Sequence, residues 1–169
     1  MFRPAAGIAL LLGVLALFLS PVAAAVAPKI ALVQVYKNER VLLLKDEAGA
    51  VVRKYSIALG RAPAGHKQRS GDKRTPEGRY LIDWRNPESA YHRSLHISYP
   101  NAQDRARAAR AGVDPGGMIM IHGLPNGKGW IGSRHLMYDW TDGCIAVTNE
   151  EIEEIWALVA NGTPIEILP

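Results

Sequence analysis

Short runs of strand-forming residues, separated by turn signals, recur along most of the chain. KIALVQVY (29–36) alternates apolar and polar residues, RVLLLKD (40–46) follows a turn-like Lys-Asn-Glu, and AVVRKYSIAL (50–59) follows a glycine. Period-2 alternation bounded by turn residues is typical of β-strands. We therefore predict that these three segments form a meander, in which each strand pairs with the next.

The rest of the chain continues this pattern and adds two helices. Asn101 is placed to cap AQDRARAARA, and Thr148, with Glu151 three residues later, forms a capping box at the start of a second helix. Because strands outnumber helices, we predict a mostly β (α+β) fold, a barrel or sandwich with attached helices. The second helix is expected to dock on the sheet through an apolar stripe. The further predicted strands are 78–84, 94–99, 117–122, 143–147 and 164–168.

The first 25 residues have the composition of a signal peptide. Arg3 gives a positively charged start, residues 5–19 are uncharged and apolar, and Ala23-Ala24-Ala25 is a small-residue cleavage site. The apolar run is shorter than the roughly 20 residues that a membrane-spanning helix needs. We predict an exported protein of the periplasm or cell envelope, with a leader (1–25) that engages the membrane transiently and a mature domain over 26–169. An uncleaved N-terminal anchor is the alternative.

The charge pattern does not favour a nucleic-acid partner. The formal net charge is +4 at pH 7, and the basic run from Arg61 to Arg74 contains no aromatic residues. Proteins that bind single-stranded nucleic acids interleave basic residues with aromatic ones. We predict that this run is a solvated loop. The sequence also has no nucleotide, flavin or haem motif, so no cofactor is predicted.

Cys144 is the only cysteine of the chain. Oxidising compartments usually use cysteines in pairs, so a lone thiol in an exported protein is either an inert buried side chain or a reactive nucleophile. An activated thiol is expected to titrate below a pKa of about 8.5 and needs a nearby base. His122 stands out among the five histidines because it ends the apolar run GGMIMIH and precedes a turn, GLPNG. The alternative for His122 is a surface histidine at a strand end.

Two other kinds of catalytic site are disfavoured. His92, His96, His122 and His135 offer a set of zinc ligands, but His92 and His96 are four positions apart on a predicted strand, about 13 Å from each other. A serine hydrolase is disfavoured because no serine lies in a GxSxG context. We therefore predict no metal site.

Three ordered motifs resemble the signature of the L,D-transpeptidase family, the YkuD-type catalytic domain. They are GDKRTPEGRY (71–80), IHG (121–123) and TDGCIAV (141–147), and the resemblance covers nearly all of residues 29–168. It implies a β-rich fold carrying a Cys-His site that acts on peptidoglycan stem peptides. The Cys144 thiolate would attack an L,D-peptide bond of a stem tetrapeptide, D-alanine would leave, and an amine acceptor would resolve the resulting thioester.

The same resemblance assigns roles to individual residues. His122 would be the general base, and backbone N–H groups around Gly143 and Cys144 would form the oxyanion hole, with Gly143 allowing close approach of the substrate. The Thr141 hydroxyl would order the loop. Thr75, with the proline and glycine that follow it, would shape a structural turn.

The chain departs from the family pattern next to the nucleophile. Asp142 stands where a histidine is common, and Ala146 where an arginine is common. A carboxylate beside the thiol is expected to raise its pKa unless it orients a histidine instead. We assign His135 to replace the missing imidazole, and Arg134 or Arg93 to bind a substrate carboxylate in place of the missing arginine.

The segment between His122 and Cys144 holds the aromatic residues Trp130, Tyr138 and Trp140. They either line a cleft for substrate or pin the loop from inside. The departures from the pattern also leave other functions open. With water as acceptor the protein would be an L,D-carboxypeptidase, and attack on existing bonds would make it a hydrolase of L,D-links or of lipoprotein–peptidoglycan links. A non-catalytic wall-binding module is a further alternative, although such a module needs neither Cys144 nor His122.

Overall fold

The computed structural model describes residues 29–169, and the predicted signal peptide lies outside them. This part of the chain forms eight strands, two α-helices and a stretch of 3₁₀ turns, which confirms a mostly β fold with attached helices. The strands are β1 (Leu32–Tyr36), β2 (Val41–Lys45), β3 (Val51–Ser56), β4 (Gly78–Ser89), β5 (His92–Ile97), β6 (Met120–His122), β7 (Ile145–Ala146) and β8 (Pro164–Leu168). The helices are α1 (Ala102–Ala111) and α2 (Asn149–Leu158), and the 3₁₀ segment is Gly129–Met137.

The strands form one mixed sheet in the order β3-β2-β1-β8-β4-β5-β6-β7. The pairs β1–β8 and β6–β7 are parallel, and the other neighbours are antiparallel. The predicted meander of the first three strands is confirmed. The last strand of the chain, β8, lies between β1 and β4, so it joins the meander to the half of the sheet that contains His122.

The two edges of the sheet meet, so the sheet closes on itself like a barrel. Ala58, just after β3, exchanges two backbone hydrogen bonds with Ala146 of β7, at 3.0 and 2.9 Å. A further bridge joins Gly60 to Thr141. Closure leaves the edge backbone groups paired and holds the segment before β7 on both sides. The interior is aliphatic, with fully buried side chains that include Val33, Leu42, Leu95, Ile121 and Ile145.

Both predicted helices form with the expected caps. Asn101 and Thr148 each complete a capping box, with Asp104 and Glu151 respectively. Helix α2 packs against β5, and its Ile152 and Ile155 are fully buried, which confirms docking on the sheet. It ends at Leu158, before the Asn-Gly pair that the sequence marks as a stop.

Several strand boundaries differ from the sequence prediction. Strand β4 continues to Ser89 because β5 turns back directly from it in an antiparallel pair. Strand β7 has two residues rather than five, and the left-handed φ of 130° at Gly143 lies just before it. Strand β6 begins only at Met120, after Met118 with a φ of 55°. The irregular backbone therefore concentrates around the thiol.

Candidate active site

The paired strands β6 and β7 bring His122 and Cys144 into one part of the sheet. In the parallel register, His122 pairs with Ala146 and Ile121 with Ile145. Cys144 lies directly before β7, and His122 is the last residue of β6. The base expected from the sequence and the only cysteine are therefore carried by neighbouring strands.

The imidazole of His122 is held in a single tautomer. Its Nδ1 lies 2.7 Å from the carbonyl oxygen of Gly123, and because a carbonyl accepts only, Nδ1 is the donor. The neutral ring then has an unprotonated Nε2. The rings of Tyr91 and Trp140 cover it, with centroids at 4.5 and 5.7 Å. Burial lowers the pKa of His122 to about 4, against the opposing hydrogen bond to Gly123.

The surroundings of Cys144 favour the protonated thiol. Its Sγ donates to the carbonyl oxygen of Met118 at 3.6 Å. Burial raises the pKa of the thiol, and the nearby charge of Asp142 adds to this, while a backbone hydrogen bond from Met120 and the charge of Lys67 act in the opposite direction. This is the direction expected from a carboxylate beside the thiol, and it is opposite to that of an activated thiol. The pKa shifts of the two groups therefore favour a neutral thiol and a neutral imidazole.

A turn organised by Thr141 presents the cysteine. The Thr141 hydroxyl donates to the carbonyl oxygen of Cys144 at 2.8 Å and accepts from the N–H of Gly143 at 3.1 Å. The loop-ordering role expected for Thr141 matches this geometry. The Gly143 N–H, however, is occupied and is not free to bind an oxyanion. Within residues 29–169 the N–H of Cys144 has no such partner, so it is the donor available beside the thiol.

The fold itself requires a glycine directly before Cys144. A Cβ on Gly143 would lie 2.7 Å from the carbonyl oxygen of Arg74, and one on Gly60 would lie 2.1 Å from that of Lys73. The GDKRTPEG segment therefore packs backbone to backbone behind the thiol. Thr75 is fully buried and accepts from the Gly60 N–H at 3.3 Å, in agreement with a structural turn.

His135 and Trp140 contact each other, and the ring of Trp140 also contacts that of His122. The indole N–H of Trp140 donates to Nδ1 of His135 at 3.4 Å, which leaves the proton of His135 on Nε2. Within residues 29–169 this buried Nε2 has no hydrogen-bond partner. A cavity of about 290 Å³ adjoins the pair, and its lining includes Arg61, Lys128, Arg134 and Tyr138. The structure thus brings His135, Arg134 and Trp140 to one cavity next to the base.

Three residues named from the sequence take other positions. Asp142 is exposed and pairs with Arg61 at 3.4 Å, so its partner is not a histidine. Arg93 pairs with Glu153 at 3.0 Å and lies over the ring of Trp156, and it does not line the cavity that contains Cys144. Trp130 is 78 % exposed and is not among the residues lining the cavities at Cys144 and His135.

The histidines considered as zinc ligands are separated. His92 pairs with Glu153 at 2.7 Å, and His96 pairs with Asp83 at 2.6 Å while stacking on Trp84. Across residues 29–169, no group of three or more potential ligands is arranged to hold a metal ion.

Two residues of the site were missed in the sequence. Asn149, the first residue of α2, accepts from the N–H of Leu124 at 2.9 Å and so holds the turn after His122. Its place directly after a helix cap was the available signal. Lys67 was assigned to a solvated loop, but it is 3 % exposed and lines the cavity of about 330 Å³ that contains Cys144. A lone lysine in a basic run gives no sequence signal of burial.

Comparison with known proteins agrees with the motifs and the fold. The sequence profile of YkuD, the L,D-transpeptidase catalytic domain, matches residues 30–167. The chain belongs to this family. The Escherichia coli K12 protein named "Putative L,D-transpeptidase YafK" is 34 % identical over 134 residues, which cover 75 % of this chain and 46 % of the relative. The YkuD chain therefore spans about half the length of the curated relatives it matches.

Solved structures share the fold of this YkuD domain. The helical cell shape determining protein Pgp2 from Campylobacter jejuni is 28 % identical, with a TM-score of 0.62 over 83 % of this chain and 48 % of that one. An L,D-transpeptidase from Xylanimonas cellulosilytica, at 17 % identity, shares the fold with a TM-score of 0.54 over 85 % of this chain and 62 % of its own.

Proposed function

We propose that this YkuD domain is a cysteine acyltransferase acting on peptidoglycan stem peptides. The observation that carries the proposal is the hydrogen bond from His122 Nδ1 to the Gly123 carbonyl, which leaves an unprotonated Nε2 at the end of the strand that pairs with the one Cys144 precedes. A wall-binding module would not need a thiol and a tautomer-locked imidazole on neighbouring strands.

The first half of the reaction forms a thioester. Nε2 of His122 takes the thiol proton as Sγ of Cys144 attacks the carbonyl carbon of an L,D-peptide bond, and the oxyanion is bound by the Cys144 N–H. The tetrahedral adduct collapses, the C–N bond breaks, and His122 returns the proton to the departing amine of D-alanine. Because the pKa shifts favour a neutral thiol and a neutral imidazole, we expect proton transfer to accompany attack rather than to precede it.

The second half transfers the acyl group. An amine acceptor, such as the side-chain amine of a neighbouring stem, loses a proton to Nε2 as it attacks the thioester carbonyl, and the thiol takes that proton when the C–S bond breaks. The product is an L,D-cross-link. Water in place of the amine would give a shortened stem peptide.

The location follows from the same proposal. The leader over 1–25 would direct a mature domain, 26–169, to the periplasm or cell envelope, where the stem peptides and amine acceptors are. Within residues 29–169, no helix is long and apolar enough to cross a membrane.

Intact-protein mass spectrometry tests the chemistry. The chain lacking residues 1–25 and its Cys144→Ala variant are incubated with a disaccharide-tetrapeptide, with and without an added amine. We expect a covalent adduct of the peptide minus D-alanine on the wild type and none on the variant. A cross-linked product indicates the transferase, whereas a tripeptide formed equally with and without amine indicates the carboxypeptidase.

Two further outcomes count against the proposal. Turnover of cross-linked muropeptides without tetrapeptide acylation would assign the protein as a hydrolase of existing links. The absence of adduct and product with every substrate, together with retained binding, would favour the wall-binding module.

A further inference from the structure

A second, larger cavity adjoins the cleft that contains Cys144. The thiol cleft has a volume of about 330 Å³, and the larger cavity, between the 67–74 loop and helix α1, has about 900 Å³. Lys67 and Gly71 line both. A volume in this range holds a ligand the size of a short peptide.

Lys67 is a fixed cation in the wall between the two cavities. Its side chain is 3 % exposed, and Nζ donates to Asp72 at 2.8 Å and to the carbonyl oxygen of Arg69 at 3.1 Å. An ammonium group has three donors, so one remains for a ligand. Long cationic side chains are rarely buried unless they are paired, and this one is held at a cavity wall instead of extending into solvent.

The carboxylate of Asp72 is already saturated. It accepts from Lys67 and from the backbone N–H groups of Gln68, Arg69 and Arg74. Although burial acts in the opposite direction, these hydrogen bonds lower the pKa of Asp72 to about 2. The loop is therefore folded around Asp72, and this carboxylate has no capacity left to pair with other cations.

The remaining cations of the larger cavity exceed its acids. Arg107 pairs with Asp104, which also contacts His66 and Tyr80. The ion pairs of residues 29–169 do not include Arg69, Arg74 or Arg110, which also line this cavity. Three guanidinium groups and one ammonium donor thus face a cavity whose two carboxylates are both engaged. Guanidinium groups bind carboxylates through paired, charge-assisted hydrogen bonds.

We infer that the larger cavity binds the free carboxylates of the peptide whose acyl group is transferred to Cys144, with Lys67 as the cation that joins it to the thiol cleft. The inference rests on the proposed function. The cations that would bind these carboxylates come from the 67–74 loop and helix α1.

The test separates binding from chemistry. In the Cys144→Ala background, which cannot form a thioester, affinity for a stem tetrapeptide is measured by calorimetry and compared with a peptide whose free carboxylates are amidated. The variant pair is Arg69→Gln with Arg110→Gln, because both side chains are exposed and their loss does not threaten folding. The matched control is Arg105→Gln, an exposed arginine of α1 outside the cavity lining.

We expect the double variant to weaken binding of the free-carboxylate peptide by roughly five- to tenfold. Amidating the peptide should weaken its binding to the Cys144→Ala protein to the same extent, and Arg105→Gln should leave the affinity unchanged. The affinity should also fall with added salt for the free-carboxylate peptide alone.

The outcomes distinguish this inference from the proposed function. Normal acylation of Cys144 with an unchanged KM in the double variant would overturn the carboxylate site and leave the enzyme intact. Another outcome is that the double variant loses carboxylate-dependent binding while the chain that keeps Cys144 shows no acylation. That result would support the carboxylate site and count against the proposed chemistry. Equal affinity for the free and amidated peptides would overturn the site in either case.

Discussion

The ring of His122 donates from Nδ1 to the carbonyl oxygen of the next residue, Gly123, at 2.7 Å. A histidine and the backbone directly after it thereby fix which nitrogen is basic. The hydrogen bond depends on the shape of the turn, which Asn149 of α2 holds through the N–H of Leu124. A Cβ on Gly123 would lie 2.7 Å from the Asn149 amide oxygen, so the turn and the helix are in close contact and leave no room for a larger residue.

Replacing the base should slow acylation without preventing folding. We expect His122→Gln to lower the rate of thioester formation by about 10² to 10⁴, the usual contribution of a general base. His92→Gln, a histidine that pairs with Glu153 instead, is the control and should keep the wild-type rate. The measurement is single-turnover acylation followed by intact mass. An unchanged rate in His122→Gln would remove His122 from the mechanism.

Stability should depend on pH through His122. Its folded pKa is about 4 and its ordinary value is 6.5, so between these values the unfolded chain binds a proton that the native protein excludes. The free energy of unfolding therefore falls as pH drops from 6.5 to 4, by roughly 3 kcal/mol at most from this group. Burial also lowers the pKa of His135, which adds in the same direction. Urea unfolding at several pH values between 4 and 6.5 measures the free energy of unfolding. This free energy should depend less steeply on pH in His122→Gln than in the wild type, and an identical pH dependence would contradict the lowered pKa of His122.

Removing the indole that covers the base should move its titration. Trp140→Ala admits water to His122, so the pKa of His122 should rise and the acid limb of the kcat/KM profile should shift to higher pH. We expect kcat to fall by about 10- to 100-fold because the ring is less firmly positioned. Trp130→Ala, in the same segment but 78 % exposed, is the control. An unmoved acid limb in Trp140→Ala would show that the indole does not desolvate His122.

Removing the carboxylate next to the nucleophile should make the thiol more acidic. Asp142 contributes to the raised pKa of Cys144, although burial contributes more. We expect Asp142→Asn to increase the rate of iodoacetamide alkylation at pH 7 by roughly two- to fivefold. Glu39→Gln, an exposed acid in the turn after β1, is the control. A slower rate in Asp142→Asn would mean that Asp142 assists ionisation instead.

A buried lysine should dominate the stability of the loop behind the thiol. Nζ of Lys37 donates to Glu77 at 2.7 Å and to the carbonyl oxygens of Gly65 and Thr75. Lys37→Met strands these acceptors and should cost about 3–5 kcal/mol. Arg79→Met removes an ion pair of 2.9 Å whose arginine is exposed, and should cost less than about 1 kcal/mol. Chemical denaturation measures both, and equal losses would contradict the role of burial.

The sequence was sufficient for the parts of the fold that depend on local pattern. Alternation predicted the meander of β1 to β3, the caps at Asn101 and Thr148 predicted both helices, and the motifs predicted the family. Position in the barrel was not predictable, because β8 pairs with strands that are far from it in the sequence: Val33 of β1 lies opposite Ile165, and Leu81 of β4 lies opposite Pro164. Non-local pairing of this kind leaves no periodic signal in either strand.

The candidate site also has residues whose roles were predictable from the sequence and others whose roles were not. The contact between Thr141 and the backbone at Cys144 was predictable from the sequence, since the turn that joins these residues is local. The role of Gly143 was not, because its contact is with the Arg74 backbone. Lys67 was misassigned for the same reason: its burial depends on Asp72 and on the cavity wall, and neither is visible in a run of basic residues.

The register of β6 and β7 has a consequence for the segment that joins them. His122 ends one strand and Cys144 precedes its parallel neighbour, so the intervening residues leave and re-enter the barrel at adjacent points. The cost of closing a loop grows slowly with its length. The part of this segment around the exposed Trp130, which does not cover His122, is therefore where a longer or shorter loop would disturb the barrel least.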